Sequence, residues 1–425
     1  MQRVAVFGIG YVGAVTAACL SQDGHAVIGV DIDQSKVDEL NAGIAPVSEP
    51  GLDEILKAQV ALKRLRAITD VRKAVAESDI AMVSVGTPSG ADGSVSVDGV
   101  EAVVKSIGEA LKATGKSYLV VVRSTLLPGI LEERLRPTLE QAAGRKIGQG
   151  LVLCNNPEFL RESSAVKDYY NPPYVLVGAE SEAQAAPVVS LYSSVPTEKI
   201  VTDTRTASLV KYASNAYHAV KVAFANEIGS LAKSFGANGH GVMELVCRDK
   251  KLNVSAAYLK PGFAFGGSCL PKDLRALTRF AEQQALRVNL LASVLSSNES
   301  HLKRAMQLVR DTGIRRIGIV GLSFKAGTDD LRESPMVDLV ETLLGWGCEV
   351  KIYDPNVMLS RLRGRNLAFV DRHLPHLANL LVPQPSMVLS HAGLLILGTD
   401  VANDFDWRSR FSGPVIDLRV DLGKS

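Results

Sequence analysis

Short apolar segments rich in β-branched residues alternate with helical patterns in the first half of the chain. Residues 3–8 (RVAVFG) and 26–31 (AVIGVD) have the pattern of buried strands, and a helical pattern over 14–23 separates them. This order is typical of a β-α-β unit. Similar apolar runs follow, with helical segments between them, at 80–85, 118–122, 151–154 and 174–177. Strands that alternate with helices predict a parallel, doubly wound α/β sheet.

The pattern changes near residue 204. From Thr204 to Phe235 the chain has no proline, a single glycine and a helical apolar period, which together predict one long helix. Because a helix that is apolar on several faces needs cover on more than one side, we expect this helix to form a dimer seam. Further helix is predicted to about residue 311, interrupted by a loop over 258–272.

A second strand–turn–helix–strand pattern begins at 316–321 (RIGIVG) and ends at 349–354 (EVKIYD). It repeats the order of the first unit, including an aspartate after the second strand, although its turn is longer and polar. Any two β-α-β units share this order to some extent. The pattern therefore leaves open whether the repeat marks a second nucleotide-binding fold or only this general similarity. We predict an N-terminal Rossmann domain over 1–203, a central helical domain over 204–311 and a C-terminal Rossmann-like domain over 312–425.

The composition is that of a folded globular enzyme. Of 425 residues, 46% are hydrophobic and 22% charged, and 47 basic residues face 45 acidic ones, so nothing indicates a nucleic-acid partner or an anionic membrane. Five scattered cysteines without a CxxC pair argue against a disulfide framework or a metal site and favour a reducing compartment. We find no signal-peptide pattern and no apolar stretch of about 20 residues, and therefore expect a cytoplasmic protein.

The turn after the first strand carries a glycine fingerprint. Gly8, Gly10 and Gly13 form GxGxxG between a strand and a helix, and Asp31 closes the next strand. The glycines allow a tight turn, close approach of a pyrophosphate and close helix packing, while the helix N-terminus attracts the anion. A carboxylate at Asp31 accepts from both ribose hydroxyls and repels a 2′-phosphate, which favours NAD over NADP. FAD uses the same fingerprint, and Lys36 could contact either the cofactor or solvent.

A cysteine stands at the predicted start of a helix. Two glycines lead to Cys269, and Pro271 and Lys272 follow. A helix N-terminus and a neighbouring ammonium both stabilise a thiolate, which is the environment of a nucleophile. The alternative is a small buried thiol. That second interpretation is the one we predict for the other cysteines, Cys19, Cys154, Cys247 and Cys348.

Polar residues recur along one face of the long helix. Lys211, Asn215, His218, Val222 and Asn226 follow helical spacing on a helix otherwise rich in alanine and valine. Unless solvated, such a stripe must face a polar cavity, because unpaired buried amides and ammoniums are costly. Lys211 with Asn215 could then stabilise an oxyanion. For His218 and Asn226 an exposed position remains an equal alternative.

Three loops follow predicted strand ends, where ligands of doubly wound folds bind. The first is Asn156–Glu162 (NPEFLRE), in which Glu158 or Glu162 could orient a water or act as a base. The same argument from position applies to Thr87 (in SVGTP) and Thr125 (in RSTLLPG).

Taken together, these motifs resemble the UDP-glucose/GDP-mannose dehydrogenase family. The residues that carry the resemblance are GIGYVG (8–13), VGTP (85–88), RST (123–125), NPEFLRE (156–162), KYASN (211–215), FGGSCLPKD (265–273) and GLSFKAGTDDLRESP (321–335). They span almost the whole chain. The resemblance implies an enzyme that removes four electrons from the primary alcohol of a sugar nucleotide, reducing two NAD, through a cysteine thiohemiacetal and thioester.

The resemblance also implies roles for individual residues. The catalytic positions it implies are Cys269 as nucleophile, Lys211 and Asn215 as oxyanion donors, Thr125 and Asp273 as groups that position water, and Glu158 as base. The NAD contacts it implies are Gly8, Gly10, Tyr11, Val12, Gly13, Asp31, Lys36, Thr87, Thr125, Lys272 and Arg332. The sugar-nucleotide contacts it implies are Glu162, Lys211, Asn215, His218, Asn226, Tyr258, Lys260, Phe263 and Lys325.

Substrate choice is less sharply indicated. The segments 215–229, 261–269 and 323–335 are more similar to the GDP-mannose branch, which implies GDP-mannuronate for an acidic exopolysaccharide such as alginate. Ala257 and Lys260 depart from that pattern, where a tyrosine and an arginine are expected. A UDP-glucose or UDP-N-acetylhexosamine dehydrogenase remains the alternative. A single-step hydroxy-acid dehydrogenase and a nucleotide-sugar sensor are rivals of other classes, and a dimer or higher even oligomer is expected.

Overall fold

A computed structural model describes residues 1–88, 95–161, 163–255, 262–267, 270–324, 328–357 and 364–420. The chain divides into two compact units, Met1–His218 and Ala219–Ser425. The long helix that the sequence predicts extends from Thr204 to Ser234, so it contributes residues to both units.

The first unit is a single eight-stranded sheet with helices on both faces. Its strands are β1 (Arg3–Phe7), β2 (Ala26–Val30), β3 (Leu65–Ile68), β4 (Ile80–Val83), β5 (Tyr118–Val122), β6 (Leu151–Asn155), β7 (Val175–Gly178) and β8 (Lys199–Thr202). Its helices are α1 (Tyr11–Gln22), α2 (Gln34–Asn41), α3 (Leu52–Ala61), α4 (Val71–Glu77), α5 (Asp98–Thr114), α6 (Arg136–Ala143), α7 (Ala165–Tyr170), α8 (Glu182–Leu191) and the start of α9 (Thr204–Ser234). A π-helical turn, Leu131–Leu135, precedes α6.

The strand order is β3-β2-β1-β4-β5-β6-β7-β8. Alternate residues of β1 enter different cores: Val4 and Val6 pack on one face of the sheet, Ala5 and Phe7 on the other. This two-sided burial explains the continuous apolar runs in the sequence.

The first six strands are parallel, but β6 and β7 meet in antiparallel orientation at Asn155 and Gly178. The prediction of a wholly parallel sheet is therefore wrong for β7 and β8, which are parallel only to each other. The apolar run at 174–177 indicates a buried strand, and such a run carries no information about strand direction.

The second unit combines helices with a four-stranded parallel sheet of order β10-β9-β11-β12. Its strands are β9 (Arg316–Val320), β10 (Glu349–Tyr353), β11 (Leu394–Leu397) and β12 (Val415–Asp417). Its helices are α10 (Gly239–Arg248), α11 (Leu270–Gln283), α12 (Asn289–Asp311), α13 (Pro335–Gly345), α14 (Gly364–His373), α15 (Leu377–Leu380) and α16 (Pro385–His391), with a 3-10 turn at Asp400–Asn403.

The two sheets begin in the same way. Gly8 after β1 and Gly321 after β9 both have positive φ, +85° and +87°. In each unit the aspartate after the next strand, Asp31 or Asp354, accepts a hydrogen bond at 2.9 Å from the backbone N–H one residue beyond that glycine. The repeat suggested by the sequence is thus present in backbone geometry.

The two units differ at the N-termini of the helices α1 and α13, which follow the two glycine turns. Gly10 precedes α1 and provides no side-chain cap, whereas Ser334 caps α13 by accepting from the Met336 N–H. An uncapped helix N-terminus leaves its N–H groups available to an anion. The first unit therefore retains the dinucleotide-type turn, and the second does not.

Candidate functional site

Four loops of the first unit share one edge of its sheet. Strands β1, β4, β5 and β6 are adjacent and parallel, so the residues that follow them lie side by side. These residues include the glycine turn, Thr87, Thr125 and Glu158. Two hydrogen bonds tie the loops together: Ser124 Oγ donates to the Val85 carbonyl at 2.6 Å, and Arg123 Nη1 donates to Asn156 Oδ1 at 2.7 Å.

The glycine turn fits a dinucleotide. A Cβ added at Gly10 would meet no protein atom within 4 Å, so the space beside the start of α1 is open. A Cβ at Gly13 would lie 1.7 Å from the Gly8 carbonyl oxygen. Gly10 therefore leaves room for a pyrophosphate, whereas Gly13 is required by the packing of the turn itself.

Asp31 lies half-buried at the end of β2 and orders the turn. Its Oδ2 accepts from the Ile9 N–H at 2.9 Å and its Oδ1 accepts from the Asp33 N–H at 3.0 Å. The carboxylate remains partly exposed, as contact with a ribose requires. Val12 and Lys36 are half-buried, and the Tyr11 hydroxyl donates to Glu49.

We predict that alanine at Gly10 will weaken NAD binding and that alanine at Gly13 will lower stability. Gly10→Ala should unfold at the wild-type temperature but bind NAD at least roughly tenfold more weakly, because its methyl group occupies the space for the pyrophosphate. Gly13→Ala should lose about 1–3 kcal/mol of stability through the clash with Gly8. Thermal unfolding without NAD and titration with NAD measure the two effects. Equal NAD affinity in Gly10→Ala and wild type would contradict this assignment.

A cavity of about 310 Å³, lined by both polar and apolar side chains, opens beside the start of α9. Its lining includes Phe159, Lys211, Asn215 and His218. The Lys211 Nζ lies 2.9 Å from Glu158 Oε1, and the two side chains are only 9% and 12% exposed. Lys211 lines the cavity, and water screens the charges of this buried ion pair only weakly.

The surroundings fix both partners of the ion pair. Glu158 Oε2 accepts from the Leu160 N–H at 2.6 Å, and the Lys211 ammonium lies 5.5 Å from the centre of the Phe159 ring. Asn215 and His218 follow on α9 at the spacing of one and two turns, and both are exposed on the cavity wall. The predicted face of polar residues thus lines a cavity as far as His218. Val222 and Asn226 are exposed and belong to the second unit.

A second ion pair, Arg161–Asp168, joins the loop that carries Glu158 to α7. Asp168 accepts from Arg161 Nη2 at 2.7 Å and Nε at 3.0 Å, and from Ser164 Oγ at 3.0 Å. Hydrogen bonding to the guanidinium lowers the pKa of Asp168. The carboxylate lines the same cavity and also accepts from the Arg161 backbone N–H at 3.0 Å.

Sequence reasoning missed Arg123, which is 5% exposed. Its guanidinium donates to Thr16 Oγ1 at 3.2 Å, to Asn156 Oδ1 at 2.7 Å and to the Tyr192 hydroxyl at 3.0 Å. An arginine directly after a fully apolar strand was the available signal, because such a residue must either be solvated or find buried acceptors. Here it joins the loops after β5 and β6.

In the second unit, α11 begins at Leu270, the residue that follows Cys269 in the sequence. The predicted loop over 258–272 therefore ends too late, because Pro271 is well suited to the first turn of a helix. Lys272 and Asp273 are exposed and pair with each other at 3.2 Å.

Other predicted site residues have varied surroundings. Phe263 packs against the core beside the second sheet, and Arg332 donates to both carboxylate oxygens of Asp330 at 2.8 and 2.7 Å. The predictions that fall outside the described residues concern Glu162, Ala257, Tyr258, Lys260, Cys269 and Lys325.

Three of the remaining cysteines are shielded from solvent. Cys19 and Cys154 are buried, as predicted, and burial raises the pKa of each thiol to about 12. Cys348 is half-buried. The prediction for Cys247 is wrong: this thiol is exposed, because α10 has no buried residue.

Among the residues that the structure describes, no group of three or more histidine, cysteine or acidic side chains could hold a metal ion. Within the same residues, no helix is long and apolar enough to cross a membrane.

Family models match three successive segments of the chain. Residues 2–196 match the NAD binding domain of the UDP-glucose/GDP-mannose dehydrogenase family, residues 205–300 its central domain, and residues 318–404 its UDP binding domain. The chain belongs to this family. It is therefore an NAD-dependent nucleotide-sugar dehydrogenase. Because the first segment matches an NAD binding domain, the glycine turn is assigned to NAD and not to FAD.

Individual relatives agree with the family match. A GDP-mannose 6-dehydrogenase of Pseudomonas putida is 45% identical over 396 residues, which cover 93% of this chain and 90% of that protein. A UDP-glucose 6-dehydrogenase of Haloferax volcanii is 36% identical over 89% of each chain. The crystal structure of a ternary complex of the Pseudomonas aeruginosa GDP-mannose dehydrogenase gives a TM-score of 0.93 at 42% identity, covering 98% of this chain and 96% of that one. The predicted fold class is confirmed.

Proposed function

We propose that this dehydrogenase oxidises GDP-mannose to GDP-mannuronate. The buried Lys211–Glu158 ion pair carries the chemical part of the proposal, because it holds a cation at the wall of the cavity and a carboxylate 2.9 Å from that cation. The substrate part is supported by 45% identity to a GDP-mannose 6-dehydrogenase, against 36% to a UDP-glucose 6-dehydrogenase.

The reaction removes two pairs of electrons from one carbon. The alcohol loses a hydride and a proton to give an aldehyde, and the Cys269 sulfur adds to its carbonyl carbon to give a thiohemiacetal. Loss of a second hydride and proton gives a thioester, and water then releases the acid and the thiol. NAD, when bound, accepts each hydride. A covalent adduct prevents escape of the aldehyde and presents its carbon for the second oxidation.

The described residues suit these steps. Negative charge develops on the sugar oxygen when sulfur or water adds, and the buried Lys211 ammonium can stabilise it together with the Asn215 amide of the cavity wall. The Glu158 carboxylate can accept a proton from the attacking water. We assign Thr125 and Asp273 to positioning that water. The position of Cys269 directly before α11 favours its thiolate.

Binding roles follow the same proposal. The groups that would hold NAD are the turn from Gly8 to Gly13 with Tyr11 and Val12, Asp31, Lys36, Thr87, Thr125, Lys272 and Arg332. The groups that would hold the sugar nucleotide are Glu162, Lys211, Asn215, His218, Asn226, Tyr258, Lys260, Phe263 and Lys325.

The yield of NADH from a limiting amount of sugar nucleotide tests the proposal. We expect two NADH per GDP-mannose and much slower turnover of UDP-glucose and UDP-N-acetylhexosamines at equal concentration. Faster oxidation of a UDP-sugar would move the enzyme to the alternative branch. A yield of one NADH would exclude the thioester route, and no NADH with any of these sugars would favour a sensor.

We also propose that the enzyme is a dimer or a higher even oligomer joined along α9. Two large apolar side chains on one face of this helix are exposed in the single chain, Leu209 at 55% and Val220 at 47%. Contact with a second subunit would cover them. Light scattering should give a multiple of the 45.4 kDa chain mass, and a monomer would contradict the proposal.

The product has a chemical role that follows from its structure. A GDP-linked uronic acid is an activated donor of an acidic sugar, so we propose that it supplies the synthesis of an acidic exopolysaccharide such as alginate. The buried free thiols of Cys19 and Cys154 fit the reducing cytoplasm as the place of reaction.

A further inference from the structure

The loop just before Cys269 is held by one asparagine on α12. The Phe265 N–H donates to Asn298 Oδ1 at 2.9 Å, and Asn298 Nδ2 donates to the Phe265 carbonyl at 2.8 Å. One side-chain amide therefore satisfies both backbone groups of a single loop residue, as a neighbouring strand would. The two bonds together fix the position and the orientation of the peptide at Phe265.

The same face of α12 holds the start of the loop. His301, three residues after Asn298, has its Nε2 at 2.7 Å from the Gly262 carbonyl. Residues at this spacing lie on one side of a helix. On the far side of Cys269 in sequence, α11 packs against α12 through Ala281 and Leu291. One helix thus anchors the chain on both sides of the cysteine.

Residues of the 321–335 motif complete the support. The Gly267 N–H donates to the Glu333 carbonyl at 3.2 Å, and a Cβ at Gly266 would lie 2.2 Å from that oxygen. The Glu333 side chain pairs with Arg275 of α11 at 2.7 Å. The loop therefore packs against the backbone at Glu333, which leaves it no room to move in that direction. Asn298 holds the loop to α12 by hydrogen bonds.

We propose that Asn298 is a positioning residue that holds Cys269 where the newly formed aldehyde is captured. The proposal rests on the thioester route described above. Capture by sulfur competes with release of the aldehyde, and a displacement of about 1 Å can slow such a step by roughly 100-fold. Loosening the loop should therefore slow capture more than it slows the first hydride transfer.

The fraction of aldehyde that escapes measures this competition. The full-length enzyme turns over GDP-mannose with O-methylhydroxylamine present, and the oxime of the free aldehyde is quantified against GDP-mannuronate. We expect wild type to form almost only acid. For Asn298→Ala we expect a kcat lower by roughly tenfold, a KM close to that of wild type and a large share of oxime, with between one and two NADH per GDP-mannose.

Two further variants complete the experiment. Asn298→Asp keeps an acceptor for the Phe265 N–H but loses the donor to the Phe265 carbonyl. Its share of oxime should therefore lie between that of wild type and that of Asn298→Ala. Ser300→Ala is the matched control, because Ser300 is exposed on α12 and, among the described residues, its hydroxyl bonds within its own helix to the Ser296 carbonyl. If Asn298→Ala does not fold, the oxime shares of Asn298→Asp and Ser300→Ala are compared instead, and a larger share in Asn298→Asp supports the role of Asn298.

The outcomes separate two failures. Because the oxime share does not depend on the amount of active enzyme, loss of stability alone cannot change it. An oxime share in the Asn298 variants equal to that of wild type would overturn the role of Asn298 while two NADH per sugar nucleotide still upheld the reaction. A wild-type yield of one NADH would instead overturn the proposed function.

Discussion

Replacing Lys211 with methionine should lower kcat by roughly 100- to 1,000-fold, the loss expected when a fixed oxyanion donor is removed from a shielded site. The Lys211 side chain is 9% exposed and its Nζ lies 2.9 Å from Glu158 Oε1, so the ammonium carries a positive charge where water screens it poorly. Steady-state turnover of GDP-mannose measures the effect. Lys233→Met, an exposed position near the end of α9, is the control and should retain wild-type turnover.

The same substitution should also destabilise the protein. It leaves the Glu158 carboxylate buried without its cation, at a cost of about 3 kcal/mol, toward the lower end for such losses because the Leu160 N–H still bonds to it. Adding Glu158→Gln removes that charge, so the double variant should recover most of the stability and none of the turnover. Denaturant unfolding of the single and double variants measures this. Additive losses of stability would contradict direct coupling of the two residues.

Cys269→Ser should lower the rate of GDP-mannuronate formation by at least roughly 1,000-fold, because an alcohol is a far weaker nucleophile than a thiolate and the adduct cannot form. The variant should fold and bind NAD as wild type does, because Cys269 is not among the residues proposed to contact NAD. Quantifying acid and NADH in the same reaction measures the effect.

Cys247→Ser provides the matched control, because Cys247 is the exposed thiol of α10 and has no proposed role. It should retain full activity. Acid formation by Cys269→Ser at a rate near that of wild type would show that the route does not pass through this sulfur.

Much of the fold follows from local patterns. The period of apolar residues predicts the long helix to within one residue at its C-terminal end, where α9 stops at Ser234. The glycine motif and Asp31 predict the turn because Gly8 has a positive φ and a side chain at Gly13 would clash with the Gly8 carbonyl. The loops that carry Thr125 and Glu158 were located by the rule that ligands bind at carboxyl ends of parallel strands.

Other features depend on tertiary contacts that a single sequence does not contain. The short strands β3 and β8 have four residues each and were not predicted, because pairing with β2 and β7 stabilises them more than their own pattern does. Lys211 and Glu158 were each singled out, but their ion pair joins residues 53 positions apart. Asn298 lies in a helix among other polar residues and has no sequence signal of its own.

A mass measurement on the Cys269 peptide tests the central claim, that this sulfur is bonded to the oxidised sugar between the two hydride losses. Glu158→Gln enzyme is quenched in acid during turnover of GDP-mannose, because loss of the base should slow hydrolysis and allow the thioester to accumulate. We predict a GDP-mannuronyl mass on the peptide that contains Cys269 and on no other. An unmodified Cys269 peptide throughout turnover, while two NADH and the acid still form, would contradict the account.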